Sequence, residues 1–460
     1  MIKKAKILIF FLSVTLLFNC SLTKNKLGIW DGDEREKSRL AKIRKDENKT
    51  NKLIKIYSSD YIFDKEISPS KSIILSNPKK NNSWIMSGAN LQNSTGNIFL
   101  SGISNNFLKK KIGKNKFAIS KASMEPLIIN DQIILTDDVG TIFNIYQNGK
   151  TKWKKNIYKK IYKKIYKNLS ISIYKNNIYV ADNIGFIYSI SLETGEILWI
   201  KNHGIPIKSR LKIFDNKIFF INQDNRIFSI STDKGTKIWD IRSIPSFIKL
   251  QNFLTLAISK SGDLVALNSA GDLFKIKAKT GQIYWTLNTI GSTLVNDTDF
   301  FKSSDVVISG KDIFFSSAST FFSFNLDNGY LNWKHDISFK SRPIIDKNNI
   351  FLLTDNGYFL SIDKKTGKII WSINILKSLK QSKQMTRVSG FILGSNKIYV
   401  VTHNGYIIVC SAESGNIEYV EKITGFAGRG LKIDTIESSP VISNGSLYIV
   451  TTNSRLFGFN

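Results

Sequence analysis

From residue 81 to the C-terminus, short apolar runs alternate with polar, glycine-bearing turns, and the runs follow the two-residue period of strands. Residues 349–373 show the unit most clearly. Asn349 to Thr354 (NIFLLT) is a β-rich run, Asp355-Asn356-Gly357 is a hairpin turn, and Tyr358 to Ile362 (YFLSI) is the returning strand. A second turn, Asp363 to Gly367, places glycine where positive φ is needed. It leads into an outer strand, Lys368 to Ile373, with Ile369 and Trp371 on one face and Ile370 on the other. A strand apolar on both faces must be covered on both, which radial packing of small sheets achieves.

The unit recurs. Glycine followed four residues later by tryptophan occurs at Gly149/Trp153, Gly195/Trp199, Gly235/Trp239, Gly281/Trp285, Gly329/Trp333 and Gly367/Trp371, with a tyrosine copy at Gly415/Tyr419. Successive glycines lie 46, 40, 46, 48, 38 and 48 residues apart, a spacing that marks a repeat architecture. Seven such units close seven blades, yet three further strands follow: Pro440 to Ile442, Leu447 to Thr451 and Arg455 to Phe459. The missing outer strand is sought between Trp84 and Gly113, where Phe99-Leu100 and Phe107-Leu108 stand ahead of the first repeat. The predicted fold is all-β: an eight-bladed β-propeller of four-stranded antiparallel blades, closed by N- and C-terminal strands, which removes the edges of an open sheet array. A closed ring also accommodates 460 residues, because each unit packs only on its neighbours.

Ahead of the ring two segments are distinguished. Residues 1–19 read as a lipoprotein signal peptide: Lys3, Lys4 and Lys6, an apolar run from Ile7 to Phe18 too short to span a bilayer, then Leu17-Phe18-Asn19-Cys20. Asn19 stands where a small residue is usual, and Cys20 is the expected site of lipid attachment. Residues 20–80 read as a charged tether, with thirteen Asp, Glu, Lys and Arg between Asp31 and Thr50, and the propeller is assigned to 81–460. Cys20 and Cys410 are the only cysteines, so a chain acylated at Cys20 has no internal disulfide.

The formal charge of +30 favours anionic partners in general, although the joint abundance of Lys, Ile and Asn is what an AT-rich genome produces. The densest block, Lys152 to Lys167, interleaves Tyr158, Tyr162 and Tyr166 with lysine pairs. Behind an export signal it reads as a loop or strand extension with a solvated basic face rather than a nucleic-acid site. Catalytic chemistry is not legible. His203, His335 and His403 fall in three different repeats without a second ligand at metal spacing. No nucleophile elbow, phosphate loop or haem-attachment motif occurs. Asp182, Glu193, Asp224 and Asp355 sit in the repeated turns, and Cys410 lies inside an apolar strand.

The repeat, apolar strand, turn, second strand, then Thr-Gly with Trp four later, resembles the pyrroloquinoline-quinone-type propeller family over roughly residues 80 to 460. Two branches of that family are relevant. Quinoprotein dehydrogenases carry a quinone and calcium over the ring centre, commonly beside adjacent cysteines, which are lacking here. The closer resemblance is to the BamB-type lipoprotein of the outer-membrane β-barrel assembly machinery, with its leader, tether, eight blades and a seventh unit lacking its tryptophan. Gly291-Ser292-Thr293 after the fourth repeat also looks like that branch. The resemblance implies a non-enzymatic scaffold without cofactor or metal, lipid-anchored on the periplasmic face of the outer membrane. It implies binding to the periplasmic domains of the barrel-inserting subunit, and possible contact with unfolded outer-membrane proteins, as a monomer within a hetero-complex that binds no nucleic acid. The alternatives are a quinone-dependent dehydrogenase, or an envelope propeller with another partner. Trp239 to Gly281 and Trp285 to Gly329 enclose 41 and 43 residues, against 33 between Trp333 and Gly367. The family's contact segments correspond by position to parts of these two connections, which makes Phe247, Lys249, Leu250, Asp297, Asp299 and Phe300 the candidate partner-binding residues.

Overall fold

The computed structural model describes residues 65–113, 125–243, 254–290, 303–317, 319–339, 341–379, 386–423 and 434–460. These belong to one unit, Tyr61–Asn460; the other, Met1–Asp60, lies outside the described residues, and Cys20 with it. Eight antiparallel sheets are arranged as an eight-bladed β-propeller. Each blade begins with an inner strand lining the axis, and the inner strands of blades 1 to 8 are Leu127–Ile129, Leu169–Tyr174, Lys212–Phe214, Thr255–Ile258, Val307–Ser309, Ile344–Asp346, Val388–Gly394 and Val441–Ser443. The unit read between 349 and 373 is blade 6, with strands Asn349–Leu353, Tyr358–Asp363 and Ile369–Asn374.

Alternation explains why the blades pack. In blade 3, Phe219, Ile221 and Ile227 join Leu256, Ile258 and Phe274 of blade 4 in one buried cluster. Their sequence neighbours Ile218, Phe220 and Phe228 point the other way, into a cluster with Tyr179 and Ile187 of blade 2. Both faces of the sheet are thus buried against a neighbour, as the doubly apolar strands require.

The glycine and tryptophan of one motif do not serve each other; they serve adjacent blades. Gly195, Gly235, Gly281, Gly329, Gly367 and Gly415 all have positive φ, and a Cβ on each would lie 2.7 to 3.1 Å from its nearest neighbours. In every case the indole of the preceding blade is among them: Trp153, Trp199, Trp239, Trp285, Trp333 and Trp371 in order. Glycine therefore serves both the turn conformation and the close approach of the ring. The first five indoles also donate Nε1–H to a carbonyl of the next blade, from Trp153 to Leu192 (3.0 Å) through Trp333 to Lys364 (3.0 Å). Trp371 is 1% exposed and makes no such bond; residues 67–70 lie along its strand, where Ile67 pairs with Ser372 and Ser70 bonds to Ile370.

Closure follows the predicted route. Asn106–Lys111 supplies the outer strand of blade 8, pairing with Arg455–Phe459. Leu108 occupies the register of the missing tryptophan, opposite Gly458 and beyond the same bulge, and it packs 3.1 Å from a Cβ built on Gly149 of blade 1.

An arrangement not foreseen from sequence lies inside the ring. Residues 81–101 run a full circuit of the inner strands in blade order. Asn81 bonds to Ile442 of blade 8, and Ser83–Trp84 adds a fifth strand to blade 1. Ile85 accepts from Ile173 of blade 2, Ser87 and Asn90 accept from Lys212 of blade 3, and Leu91 and Gln92 accept from Ile258 and Ile308 of blades 4 and 5. Gly96 abuts Asp346 of blade 6, Ile98 bonds to Leu393 of blade 7, and Ser101 returns to Gly445 of blade 8. This strap lies towards the ends of the inner strands, the face of the ring where each inner strand turns into the second.

Candidate binding face and axial charge cluster

The opposite face is the one at which each outer strand ends and the next inner strand begins, and its floor is set by one position in each repeat. The residue three before Ile128, Ile173, Ile213, Ile258, Ile308, Ile345, Leu393 and Ile442, which occupy equivalent registers, is Glu125, Ser170, Arg210, Thr255, Asp305, Arg342, Gly390 and Ser439 respectively. Small residues here serve the neighbouring blade: Ser170 Oγ accepts from Leu211 N–H and Thr255 Oγ1 from Val306 N–H, both at 2.8 Å. The four charged ones meet on the axis. Arg342 of blade 6 pairs with Asp305 of blade 5 at 2.7 Å and, across the ring, with Glu125 of blade 1 at 2.9 Å. Glu125 also accepts from Trp84 Nε1 and Gly88 N–H of the strap, each at 3.0 Å.

Burial opposes charge at every one of these groups, and the pairing decides the outcome. Desolvation would raise Glu125 and Asp305, but the Arg342 guanidinium holds both carboxyls below the usual range. Arg342 itself is pushed up: its two carboxylate partners outweigh burial. Arg210 is drawn down by burial, with Glu125 and Asp305 opposing. Beside them Lys212 is fully buried, with its three ammonium protons directed to Ser87 O, Asn90 O and Asn93 Oδ1 at 2.6 to 2.8 Å; burial pulls its pKa to about 7. The axis is therefore filled by an internally neutralised network fused to the strap.

The residues singled out from sequence are distributed as follows. Phe247, Lys249, Leu250, Asp297, Asp299 and Phe300 lie outside the described residues, as does Gly291 to Thr293. The outer strands before them, Lys237–Ile241 and Ile283–Asn288, and the inner strands after them belong to blades 3, 4 and 5. Asp182 is a turn residue, as read: Oδ1 accepts the N–H groups of Ile184, Gly185 and Phe186, while Oδ2 accepts Tyr158 O–H at 2.6 Å. Glu193 pairs with Lys152. His203 packs edge-on against the stacked rings of Phe220 and Phe228, His335 contacts the carbonyl of Gly367, and His403 accepts from Arg387 N–H. Cys410 is fully buried, and burial pushes its thiol up to about 12. Among the described residues no three His, Cys, Asp or Glu side chains gather as metal ligands, and both axial carboxylates are committed to Arg342. The axial residues thus do not fit the calcium and quinone of the dehydrogenase branch. Sequence reading missed the axial cluster because its members lie in four separate repeats; aligning the repeats on their inner strands would have placed them in one column.

The sequence profile of the family described as outer membrane protein assembly factor BamB matches residues 138–373. A protein of that name from Shewanella oneidensis is 19% identical over 293 residues, covering 62% of this chain and 69% of that one. The crystal structure of BamB from Moraxella catarrhalis superposes with a TM-score of 0.59 at 12% identity, covering 77% of this chain and all of that one. A quinohemoprotein alcohol dehydrogenase from Pseudomonas putida HK5 gives 0.60 at 9% identity, covering 83% of this chain and 80% of the enzyme; at that identity the likeness is one of fold.

Proposed function

The chain belongs to the family of outer membrane protein assembly factor BamB, and from that premise we propose that it is a non-enzymatic scaffold of the outer-membrane β-barrel assembly complex. It is anchored through an acylated Cys20 to the periplasmic face of the outer membrane, with residues 20–80 as its tether, whose last part, from Ile67, lies along blade 6. It binds the periplasmic domains of the barrel-inserting subunit and assists assembly of outer-membrane proteins. The observation that carries this reading is the closed axis. Arg210 and Arg342 offset Glu125 and Asp305 and the strap runs along every inner strand, so the ring offers a stiff frame whose connections are left to carry the binding surface. Phe247, Leu250 and Phe300 are the apolar anchors of that surface, and Lys249, Asp297 and Asp299 its polar rim.

The test is the double substitution Phe247→Ala with Asp299→Ala, measured as affinity for the periplasmic domains of the cognate barrel-inserting subunit. A loss of roughly tenfold or more with an unchanged melting curve is expected; unchanged affinity, or loss only through unfolding, overturns the site. Titration with pyrroloquinoline quinone and calcium should give neither saturable binding nor dye reduction with alcohols, and turnover would replace the scaffold by a dehydrogenase. Intact-mass analysis should show a chain beginning at an acylated Cys20.

A further inference from the structure

The block Lys152 to Lys167 is not absorbed by the scaffold reading, and the structure sorts its residues in a way that lysine-rich composition does not. Its aromatic members turn inward. Tyr158 is buried against Tyr188 and bonded to Asp182, and Tyr162 packs on Phe186, ring centroids 5.7 Å apart. Lys167 is fully buried under this layer, donating to the carbonyls of Tyr162 and Ile165 with its ammonium 4.5 Å from the centre of the Tyr158 ring. The connection between blades 1 and 2 is thereby clamped to blade 2, with a 3-10 turn at Lys160–Lys164.

What this clamp presents outward is apolar. Ile161 is 77% exposed and Ile165 46%, four residues apart. On the adjoining outer strand Ile197–Asn202, Ile200 stands opposite Tyr188 and Asn202 opposite Phe186, which places Ile200 on the same face of blade 2 as the clamped tyrosines, with Leu198 in the bulge before it. Both are exposed, Leu198 at 54%. Around this patch Lys155, Lys159 and Lys164 are exposed, and no Asp or Glu occurs between residues 151 and 167.

We propose that this patch at the seam of blades 1 and 2 is a membrane-interface contact, which docks on a bilayer containing anionic phospholipid with Ile161 and Ile165 entering the headgroup boundary. The charge pattern selects this occupant. An acidic protein surface would be met by lysines alone, whereas protruding isoleucines ringed by lysines match an apolar layer bordered by anionic headgroups, with the lysine stems lying along the apolar surface. A polybasic patch also supplies the second signal that makes a lipid-anchored protein hold one orientation. The proposal rests on the envelope location in the scaffold reading but not on the contact residues named there.

Full-length chain carrying Cys20→Ala, so that no acyl group contributes, is tested for co-sedimentation with vesicles of phosphatidylethanolamine and phosphatidylglycerol and with vesicles of phosphatidylcholine alone. Binding to the first and not the second is expected, weakening with salt. Lys159→Gln with Lys164→Gln should weaken it about thirtyfold at low salt, and Ile161→Ser with Ile165→Ser should weaken it at least tenfold while leaving the melting curve unchanged, since both side chains are exposed. Equal binding to both vesicle types, indifference to either pair of substitutions, or binding to soluble polyglutamate but not to vesicles would overturn it. Affinity for the barrel-inserting subunit is measured on the same variants. It is expected to be unchanged, so failure of this proposal and failure of the scaffold reading are separable.

Discussion

The seams between blades 1 and 7 and the two seams around blade 8 solve one problem differently. In the former, an indole from one blade lies on the positive-φ glycine that opens the next blade's outer turn. Around blade 8 that device is gone: Tyr419 of blade 7 is 42% exposed, and Leu108 takes the tryptophan's register against Gly149. The reason is topological. Blade 8 joins Arg455–Phe459 to Asn106–Lys111 from opposite ends of the chain, so there is no turn between them and no turn glycine for the blade 7 ring to cover. Its seams rest on apolar continuity instead. Ile392 and Val409 of blade 7, Tyr448 and Phe457 of blade 8, and Ile133 and Ile145 of blade 1 share one buried cluster, and Asn81 of the strap bonds to Ile442. Repeated seams are thus held by a local motif, and the unique seam by burial and the strap.

This contrast is broken most severely by cutting the chain after Ser443, which removes two strands of blade 8 and bares the flanks of blades 7 and 1. Loss of soluble, cooperatively folding protein is expected in chromatography and calorimetry, far beyond a local defect. A stable, monomeric truncation product would show that seven stapled blades suffice.

The strap and axis come next. Arg342→Met removes the cation that Glu125 and Asp305 share, leaving Arg210 as the nearby guanidinium, and should cost about 3 kcal/mol in denaturant unfolding. The effect has a pH signature. Both carboxyls have folded pKa values below their unfolded ones, so their stabilisation is complete above about pH 5 and is lost as the pH falls through the lower folded values. In the variant the same groups lose the bond to Arg342 and protonate more readily, so the gap between the two proteins should narrow on acidification. A gap independent of pH would remove the ion pairs from the account.

Within a repeated seam, Trp239→Ala should cost about 2 to 3 kcal/mol, less than a fully buried indole because this one is only half-buried. Gly281→Ala, which forces a Cβ to 2.9 Å from that ring at φ of 80°, should cost about 1 to 3 kcal/mol. In the double variant the penalties should fall short of additive, since the clash requires the indole. At the seam of blades 7 and 8, Tyr419→Ala should cost under about 1 kcal/mol. A tryptophan seam no stronger than the tyrosine seam would refute the staple. The smallest effect sharpens the contrast: Tyr419→Trp should leave the melting temperature nearly unchanged, because no turn glycine awaits the larger ring.

The sequence by itself determined the repeat, its strand order and the need for both termini in blade 8. Periodicity of two, turn glycines and a fixed Gly-to-Trp spacing are local properties, written within a few residues of where they act. Asn106–Lys111 could be sought as the closing strand because a count of strands came out one short. Only the tertiary structure decided which blade each Trp meets, that residues 81–101 thread the inner strands, and that Glu125, Arg210, Asp305 and Arg342 converge. Those contacts join residues up to 361 positions apart. They depend on the ring's curvature, which brings equivalent positions of every blade to one axis and has no counterpart in any local stretch of chain. The inward turn of Tyr158 and Tyr162 was equally hidden, because the lysines beside them dominate the composition and burial alone separates Lys167 from its exposed neighbours.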